Sequence, residues 1–214
     1  MAEPRFDADE RRELCVLFAE LGPLAPTLLD RWTTNDLAAH IVLRERDLIA
    51  GPCIALPGPF QGFAERRRAA LAESKEFPWL VERIRTGPPI GFFRIGWVRS
   101  LPNLNEFFVH NEDVRRANGL GPRTLPPALD EALWRNVRRS GRYLTRRLRG
   151  AGLDAECSAT GEQQSLRAGE PRALLRGPPG ELLLYLFGRQ PVAQVELTGS
   201  PDAVAAVRRT HLGM

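Results

Sequence analysis

The sequence is poor in the residues that most often carry enzyme chemistry. Among its 214 residues are three histidines and three cysteines. Cys15, Cys53 and Cys157 lie too far apart for a CxxC motif, so we expect reduced, mostly buried thiols rather than a redox pair. Neither GxGxxG nor GxxxxGK[ST] occurs, which argues against these nucleotide-binding loops. The absence of GxSxG removes the main sequence signal of an α/β serine hydrolase.

Long hydrophobic runs are also missing. No stretch approaches the roughly 18 apolar residues that a membrane-spanning helix needs. The first residues, MAEPRFDADERRE, mix acidic and basic side chains without the apolar segment of a secretory signal. We therefore expect a cytoplasmic protein without membrane contact. With 43% hydrophobic and 26% charged residues, the chain has the composition of a folded globular protein.

Lysine is nearly absent, because Lys75 is the only one among 30 basic residues. This arginine bias indicates a genome rich in G and C. Basic runs at 65–68 and 138–149 raise nucleic-acid binding as an alternative. However, 26 acidic residues nearly balance the charge to +4, and no aromatic stacking motif accompanies the runs. We interpret the runs as solvated helix faces and predict no nucleic-acid partner.

Apolar spacing predicts helices in the first two thirds of the chain. They are expected at 7–21, from Trp32 to Gly51, at 60–86 with a break near Pro78, at 102–118 and at 127–149. Thr33 followed by Asp36 resembles a capping box at the start of the second helix. The segment 87–102 carries Phe92, Phe93 and Trp97 among glycines and prolines, and it is a candidate wall over a site.

After Gly150 the pattern changes to short alternating stretches. Strands are predicted near 154–159, 163–168, 172–176 and 192–198, with helices at 179–188 and 201–210. The fold class is therefore mostly α, with a helical bundle at 1–150 followed by a small α+β domain at 151–214.

Two histidines and a glutamate are candidate metal ligands. Glu106 and His110 lie four residues apart on one helical face, which lets both side chains reach one ion. His40 lies on the apolar face of another predicted helix, and metal ligands of helical bundles project inward from facing helices. Two nitrogens and one carboxylate leave a tetrahedral zinc with an open position, as in catalytic sites.

The same residues have simpler interpretations. His40 alone fits a structural histidine, and Glu106 with His110 fits a solvated helical pair. Asp113 follows His110 by three residues and could orient its ring, or could be an ordinary polar residue on the surface. A metal at this position would activate a thiol, and because no cysteine lies in the ligand motifs, the thiol is expected to be a small cosubstrate.

Three segments resemble the mycothiol-dependent maleylpyruvate isomerase family of the DinB-like metalloproteins. They are Trp32-Thr-Thr-Asn-Asp-Leu-Ala-Ala-His40, Glu106-Phe-Phe-Val-His110-Asn-Glu-Asp-Val-Arg-Arg-Ala117 and Gly180-Glu-Leu-Leu-Leu-Tyr-Leu-Phe-Gly-Arg189. The pattern EFFVH followed by Glu-Asp is most similar to a subgroup described chiefly as metal-binding.

The resemblance implies a DinB-like four-helix bundle, a divalent metal, usually zinc, on His40, Glu106 and His110, and mycothiol as cosubstrate. It implies an isomerase or thiol transferase acting on a small electrophile, as a monomer or homodimer. The alternative is a non-catalytic metal-binding or partner-binding protein of the same fold. Arg189 is the candidate catalytic residue for an anionic substrate, although a helix-terminal arginine also binds backbone carbonyls.

Overall fold

The structure of the protein, a computed structural model, describes residues 5–54, 59–88 and 95–213. This part of the chain is mostly helical with a small four-stranded sheet. The predicted fold class is confirmed at that level. The chain divides into two compact units, Met1–Pro122 and Arg123–Met214. This division differs from the boundary expected at residue 150, because the helix at 127–144 packs against later elements of the second unit.

The regular elements in the described part of the first unit are helices, and an isolated β-bridge joins Pro26 and Thr33 in the loop between the first two. Its helices are α1 (Phe6–Leu21), α2 (Thr34–Arg46), α3 (Ala50–Cys53), α4 (Pro59–Ser74), α5 (Phe77–Arg85), α6 (Gly96–Val98) and α7 (Leu104–Ala117). Helix α1 packs against α5 and α7, and α2 packs against α4 and α5. The helix expected at 7–21 is confirmed, and the region 60–86 is divided as expected, with the break at Lys75 and Glu76.

The start of α2 follows the predicted capping box. The backbone N–H of Thr33 donates to Asp36 Oδ2 over 2.9 Å, and the Thr33 side chain satisfies the amide of the third helical residue. The helix ends at Arg46 and not at Gly51 as predicted. The reason is Asp47, whose Oδ1 accepts the N–H groups of Ile49 and Ala50 and turns the chain into α3.

Helix α7 begins differently from the prediction. Arg99–Asn103 forms a π-helical turn that contains Pro102 and continues directly into α7 at Leu104. A proline inside a regular α-helix clashes with the preceding turn, and a wider π turn relieves that clash. The end of α7 agrees with the prediction, since Asn118 caps it and Gly119 adopts a left-handed φ of +77°.

The core of the first unit lies between α1, α2, α5 and α7. Its largest fully buried members include Leu14, Phe18, Leu37, Ile41, Leu80, Ile84 and Phe107. One ion pair crosses this core, because Arg11 bonds to Glu45 and its guanidinium lies 4.3 Å from the centre of the Phe107 ring. The apolar packing holds α2 and α7 in a fixed relation, and these two helices carry the candidate ligands.

The second unit combines helices with a sheet. Its elements are α8 (Pro127–Leu144), β1 (Gly152–Cys157), β2 (Gln163–Arg167), β3 (Arg172–Gly177), α9 (Pro179–Leu186), β4 (Glu196–Gly199) and α10 (Pro201–Arg209). The strand order is β2-β1-β3-β4, with β1 parallel to β3 and both edge strands antiparallel to their neighbours. Helix α9 packs against α8 and β3. Helix α8 is shorter than the predicted 127–149, because a turn follows Leu144.

The candidate wall is described only in part. Phe92 and Phe93 lie outside the described residues. Trp97 lies in the short helix α6 and is 59% exposed. Among the described helices, none is both long and apolar enough to cross a bilayer.

Candidate metal centre

Helices α2 and α7 bring His40, Glu106 and His110 together. The Glu106 Oε1 atom lies 3.0 Å from His40 Nε2 and 3.1 Å from His110 Nε2. One ligand atom from each residue lies within 4.8 Å of the others. Two imidazole nitrogens and a carboxylate oxygen form a donor set that suits zinc and similar divalent ions. The geometry therefore fits a shared cation, and the alternative of a solvated helical pair does not describe Glu106 and His110.

The cluster is largely shielded from water. The side chains of His40, Glu106 and His110 are 12%, 11% and 9% exposed. The two imidazole rings meet edge to face, with 5.3 Å between their centres. Charged groups interact strongly in such surroundings, because little solvent screens them.

Asp113 contacts the far side of the His110 ring. Its Oδ2 atom lies 2.9 Å from His110 Nδ1, and its side chain is fully buried. A histidine that donates Nδ1–H to a carboxylate keeps the Nε2 lone pair available for a ligand bond. The contact between Asp113 and His110 that the spacing suggested is therefore present. The alternative interpretation of Asp113 as a surface residue is wrong, because its side chain is buried.

Arg44 and Asn103 also belong to this cluster, and sequence reasoning assigned neither of them to it. The Arg44 guanidinium lies 3.7 Å from Glu106 Oε1 and donates to Asn103 Oδ1 over 3.1 Å. Arg44 follows His40 by four residues, so helical spacing could have indicated that both lie on one face of α2, although not that Arg44 meets Glu106. Asn103 comes from the π-helical turn, which the sequence did not predict.

The Glu106 carboxyl is held in its charged form. Burial by itself would raise its pKa, but the Arg44 guanidinium and the hydrogen bonds from His110 and His40 outweigh burial, so the pKa lies well below its ordinary value. A buried carboxylate that stays ionised is a competent ligand for a cation.

The two histidines differ in basicity. Burial lowers the pKa of His40, and the hydrogen bond and charge of Glu106 only partly oppose it. For His110, burial would also lower the pKa, but hydrogen bonds to Asp113 and Glu106 raise it above its ordinary value. The second carboxylate, Asp113, accounts for the difference.

Trp32 forms part of the surroundings of His40. The centres of the two rings lie 5.2 Å apart, and the Arg68 guanidinium lies 4.7 Å from the Trp32 ring. Arg68 also pairs with Asp36 and Glu65, each at 2.6 Å. The first turn of α2 is thereby connected to α4 next to the candidate ligand.

Arg189 and the cysteines are placed elsewhere. Arg189 follows α9 in the second unit, and its Nη1 donates to the carbonyl of Phe187 over 2.7 Å. Its assignment as a catalytic residue stays a prediction. Cys15 and Cys157 are free and buried, as expected, and neither belongs to the cluster of His40, Glu106 and His110. The side chain of Cys53 lies outside the described part of the chain.

Comparison with solved structures relates the fold to one enzyme. The chain is similar to the crystal structure of the mycothiol-dependent maleylpyruvate isomerase, with a TM-score of 0.57 and 16% sequence identity over 93% of this chain and 92% of that one. A histidine-to-alanine mutant of that isomerase matches over the same shares with a TM-score of 0.50. No family model and no curated protein matches the sequence. At this identity the likeness establishes a shared fold, which is that of the maleylpyruvate isomerase.

Proposed function

We propose that this protein binds a divalent metal, zinc in the first instance, through His40, Glu106 and His110. The observation that carries the proposal is the meeting of three ligand atoms from two helices around one point, within 4.8 Å of one another. The contact of Asp113 with His110 supports it, because ligating histidines usually donate their second nitrogen to a carboxylate or carbonyl.

We further propose that the protein uses a small thiol, mycothiol, to isomerise a small electrophile or to transfer the thiol to it. A zinc ion in this site would supply Lewis acidity and lower the pKa of a thiol. The fold likeness to a mycothiol-dependent isomerase supports this choice of thiol. The same proposal includes a small electrophilic substrate and a cytoplasmic location for the protein.

The protein residues would have separate roles in that chemistry. Glu106 stays ionised next to Arg44, and Asp113 keeps a proton on His110 Nδ1, so both ligands present lone pairs to the cation. Low exposure of the three side chains limits access of water. Arg189 would bind an anionic group of the electrophile. Within this proposal the first unit is a DinB-like four-helix bundle, and the protein works as a monomer or homodimer.

Metal analysis of purified variants tests the first half of the proposal. We expect about one zinc per chain for the wild type and a loss of zinc in His40→Ala, Glu106→Gln and His110→Ala. His211→Ala is the matched control, because His211 is an exposed histidine of the second unit. Unchanged zinc content in all three ligand variants would eliminate this site.

Turnover tests the second half and separates the enzyme from a non-catalytic metal-binding or partner-binding protein. The contact of Arg189 with a backbone carbonyl favours that alternative, since a helix-terminal arginine needs no substrate. We expect mycothiol to bind only to the zinc-loaded protein, and maleylpyruvate, as a probe electrophile, to react only with both present. A zinc-loaded protein that binds no mycothiol would favour the alternative.

A further inference from the structure

A positive side chain next to a cation site is an unusual neighbour. The Arg44 guanidinium lies 3.7 Å from Glu106 Oε1, the atom that also faces both histidines. The Arg44 side chain is 12% exposed, so water screens its charge poorly. A divalent ion bound to Glu106 would therefore meet a fixed positive charge only a few ångströms away.

The position of Arg44 is determined by two helices. Arg44 follows His40 by one turn of α2, and its Nη1 donates to Asn103 Oδ1 over 3.1 Å. Asn103 is fully buried in the π-helical turn before α7. Glu106 follows Asn103 by three residues, so the anchor of the arginine lies in the turn directly before the helical turn that carries the candidate ligand. Arg44 is therefore part of the architecture of the site and not a mobile surface cation.

A buried carboxylate needs a compensating charge whether or not a metal is bound. In the metal-free protein Arg44 provides that charge for Glu106, and the contacts of Glu106 with His40 and His110 keep the three ligands in place. The arrangement stabilises the metal-free site. The same positive charge opposes the arrival of a cation.

We propose that Arg44 is a positioning residue that holds Glu106 in the metal-free state and weakens metal binding, so that the ion stays exchangeable. This inference rests on the proposed metal site. It predicts opposite effects of one substitution on two quantities. Neutralising Arg44 lowers the stability of the metal-free protein and raises its affinity for the metal.

The test compares zinc affinities by competition with a chromogenic chelator. We expect Arg44→Met and Arg44→Gln to bind zinc at least tenfold more tightly than the wild type, which corresponds to about 1.4 kcal/mol. Arg44→Lys keeps the charge and should stay within about threefold of the wild type. The glutamine variant keeps an N–H donor at this position and provides a second neutral protein if the methionine variant folds poorly. Arg12→Met is the control for net charge, because Arg12 is exposed and pairs with Asp9.

A second measurement uses thermal unfolding without any catalytic assay. Because a ligand stabilises the folded state according to its affinity, the zinc-induced rise in Tm should be larger in the neutral variants than in the wild type. The metal-free Tm of those variants should be lower. If Arg44 had a purely structural role, its loss would misplace Glu106 and weaken zinc binding. The zinc-induced rise in Tm would then be smaller in the neutral variants than in the wild type.

The outcomes separate the inference from the proposed function. If His110→Ala binds zinc as well as the wild type, the site is wrong and the role of Arg44 is lost with it. If the wild type binds zinc at this site but neutral variants bind it equally or less tightly, only the inference is overturned. Arg44→Lys binding as tightly as Arg44→Met would also overturn it, because charge would then not be the cause.

Discussion

Helices α7 and α9 are both largely buried, but they bury different chemistry. Helix α7 buries five polar residues beside its apolar ones, namely Asn105 and the four consecutive residues His110, Asn111, Glu112 and Asp113. Helix α9 buries a leucine-rich segment between α8 and β3, in which Glu181 is the one buried charge, and its Oε2 accepts the backbone N–H of Gln194.

The difference indicates what each helix contributes. Leucine burial on α9 stabilises the second unit by removing apolar area from water, about 25 cal/mol for each Å². Polar burial on α7 gives less net stability, because each desolvated group must recover its lost hydration from a partner. Buried titratable groups with shifted pKa values, such as His40, Glu106 and His110, cluster preferentially at functional sites. The following predictions test this comparison.

The largest loss of stability should come from α9. Leu183 is fully buried, so Leu183→Ala removes apolar contacts and leaves a cavity that costs about 2–5 kcal/mol. Urea unfolding of the zinc-loaded protein measures the loss, and the zinc affinity of the folded protein should not change. Leu48→Ala is the control, since Leu48 is 91% exposed. Equal losses in the two variants would contradict the account of α9.

On α7 we expect a smaller effect on stability, because the substitution acts mainly on the affinity for zinc. Asp113→Asn keeps the shape of the side chain but weakens the contact that orients His110, and substitutions of this kind reduce metal affinity about 10–100-fold. Chelator competition measures the change.

Glu112→Gln is the matched control for Asp113→Asn. Glu112 is equally buried and lies one residue earlier, but it pairs with Arg115 and Arg116. The control should retain the zinc affinity of the wild type. Similar weakening in both variants would mean that general destabilisation, and not ring orientation, determines metal binding.

A more modest effect is expected at the start of α2. Burial alone would raise the pKa of Asp36, but the Thr33 N–H and the Arg68 guanidinium outweigh it and hold the pKa below its ordinary value of 3.8. Because the folded pKa is the lower one, the contribution is fully present above pH 3.8 and is lost as pH falls through the folded value. Asp36→Asn should cost about 1–2 kcal/mol at pH 7, after allowance for solvent screening.

Urea unfolding between pH 7 and pH 2.5 measures this contribution. The difference between wild type and Asp36→Asn should be constant at neutral pH and should shrink in acid. Asp9→Asn is the control, because Asp9 pairs with Arg12 on the surface. A difference that persists unchanged at pH 2.5 would show that the carboxylate charge is not its source.

The smallest effect is expected at Cys15, whose buried Sγ lies 3.8 Å from the carbonyl oxygen of Val81. Burial, only partly offset by Arg85 and Arg11, raises the pKa of its thiol to about 11. At pH 8 only about one thiol in a thousand is then ionised, compared with about one in ten for a cysteine with the ordinary pKa of 9.0. Iodoacetamide should therefore label Cys15 only after addition of urea, as measured on its peptide by mass spectrometry. Rapid labelling of the native protein would contradict the assigned burial.

Much of the fold follows from local sequence signals. Thr33 and Asp36 form the predicted cap, Gly119 ends α7, and the second unit has strands and helices close to the predicted positions. Signals of this kind depend on neighbours in sequence, so a single chain is enough to read them. The end of α2 was missed, because Asp47 could cap the next turn as well as continue the helix.

The candidate site also combines relations that local sequence predicts with contacts that form only when distant segments pack together. The spacing of Glu106 and His110 determines that they share a helical face, whatever the rest of the chain does. Asp113 is related to His110 by the same periodicity. Local sequence could not reveal the contact of Arg44 with Glu106, because the two residues are 62 positions apart and meet only after α2 and α7 have packed.

The sequence by itself determined which residues carry donor atoms and which of them lie on a common helical face, because helical periodicity is a local property of the backbone. Tertiary structure decided that His40 faces Glu106, that Arg44 compensates the same carboxylate, and that Asn103 anchors the arginine. The physical reason is that these contacts depend on packing of the apolar faces of the helices, which sets the relation between distant segments. A candidate metal ligand can be recognised from sequence, but the arginine that lies beside its carboxylate is visible only in the folded protein.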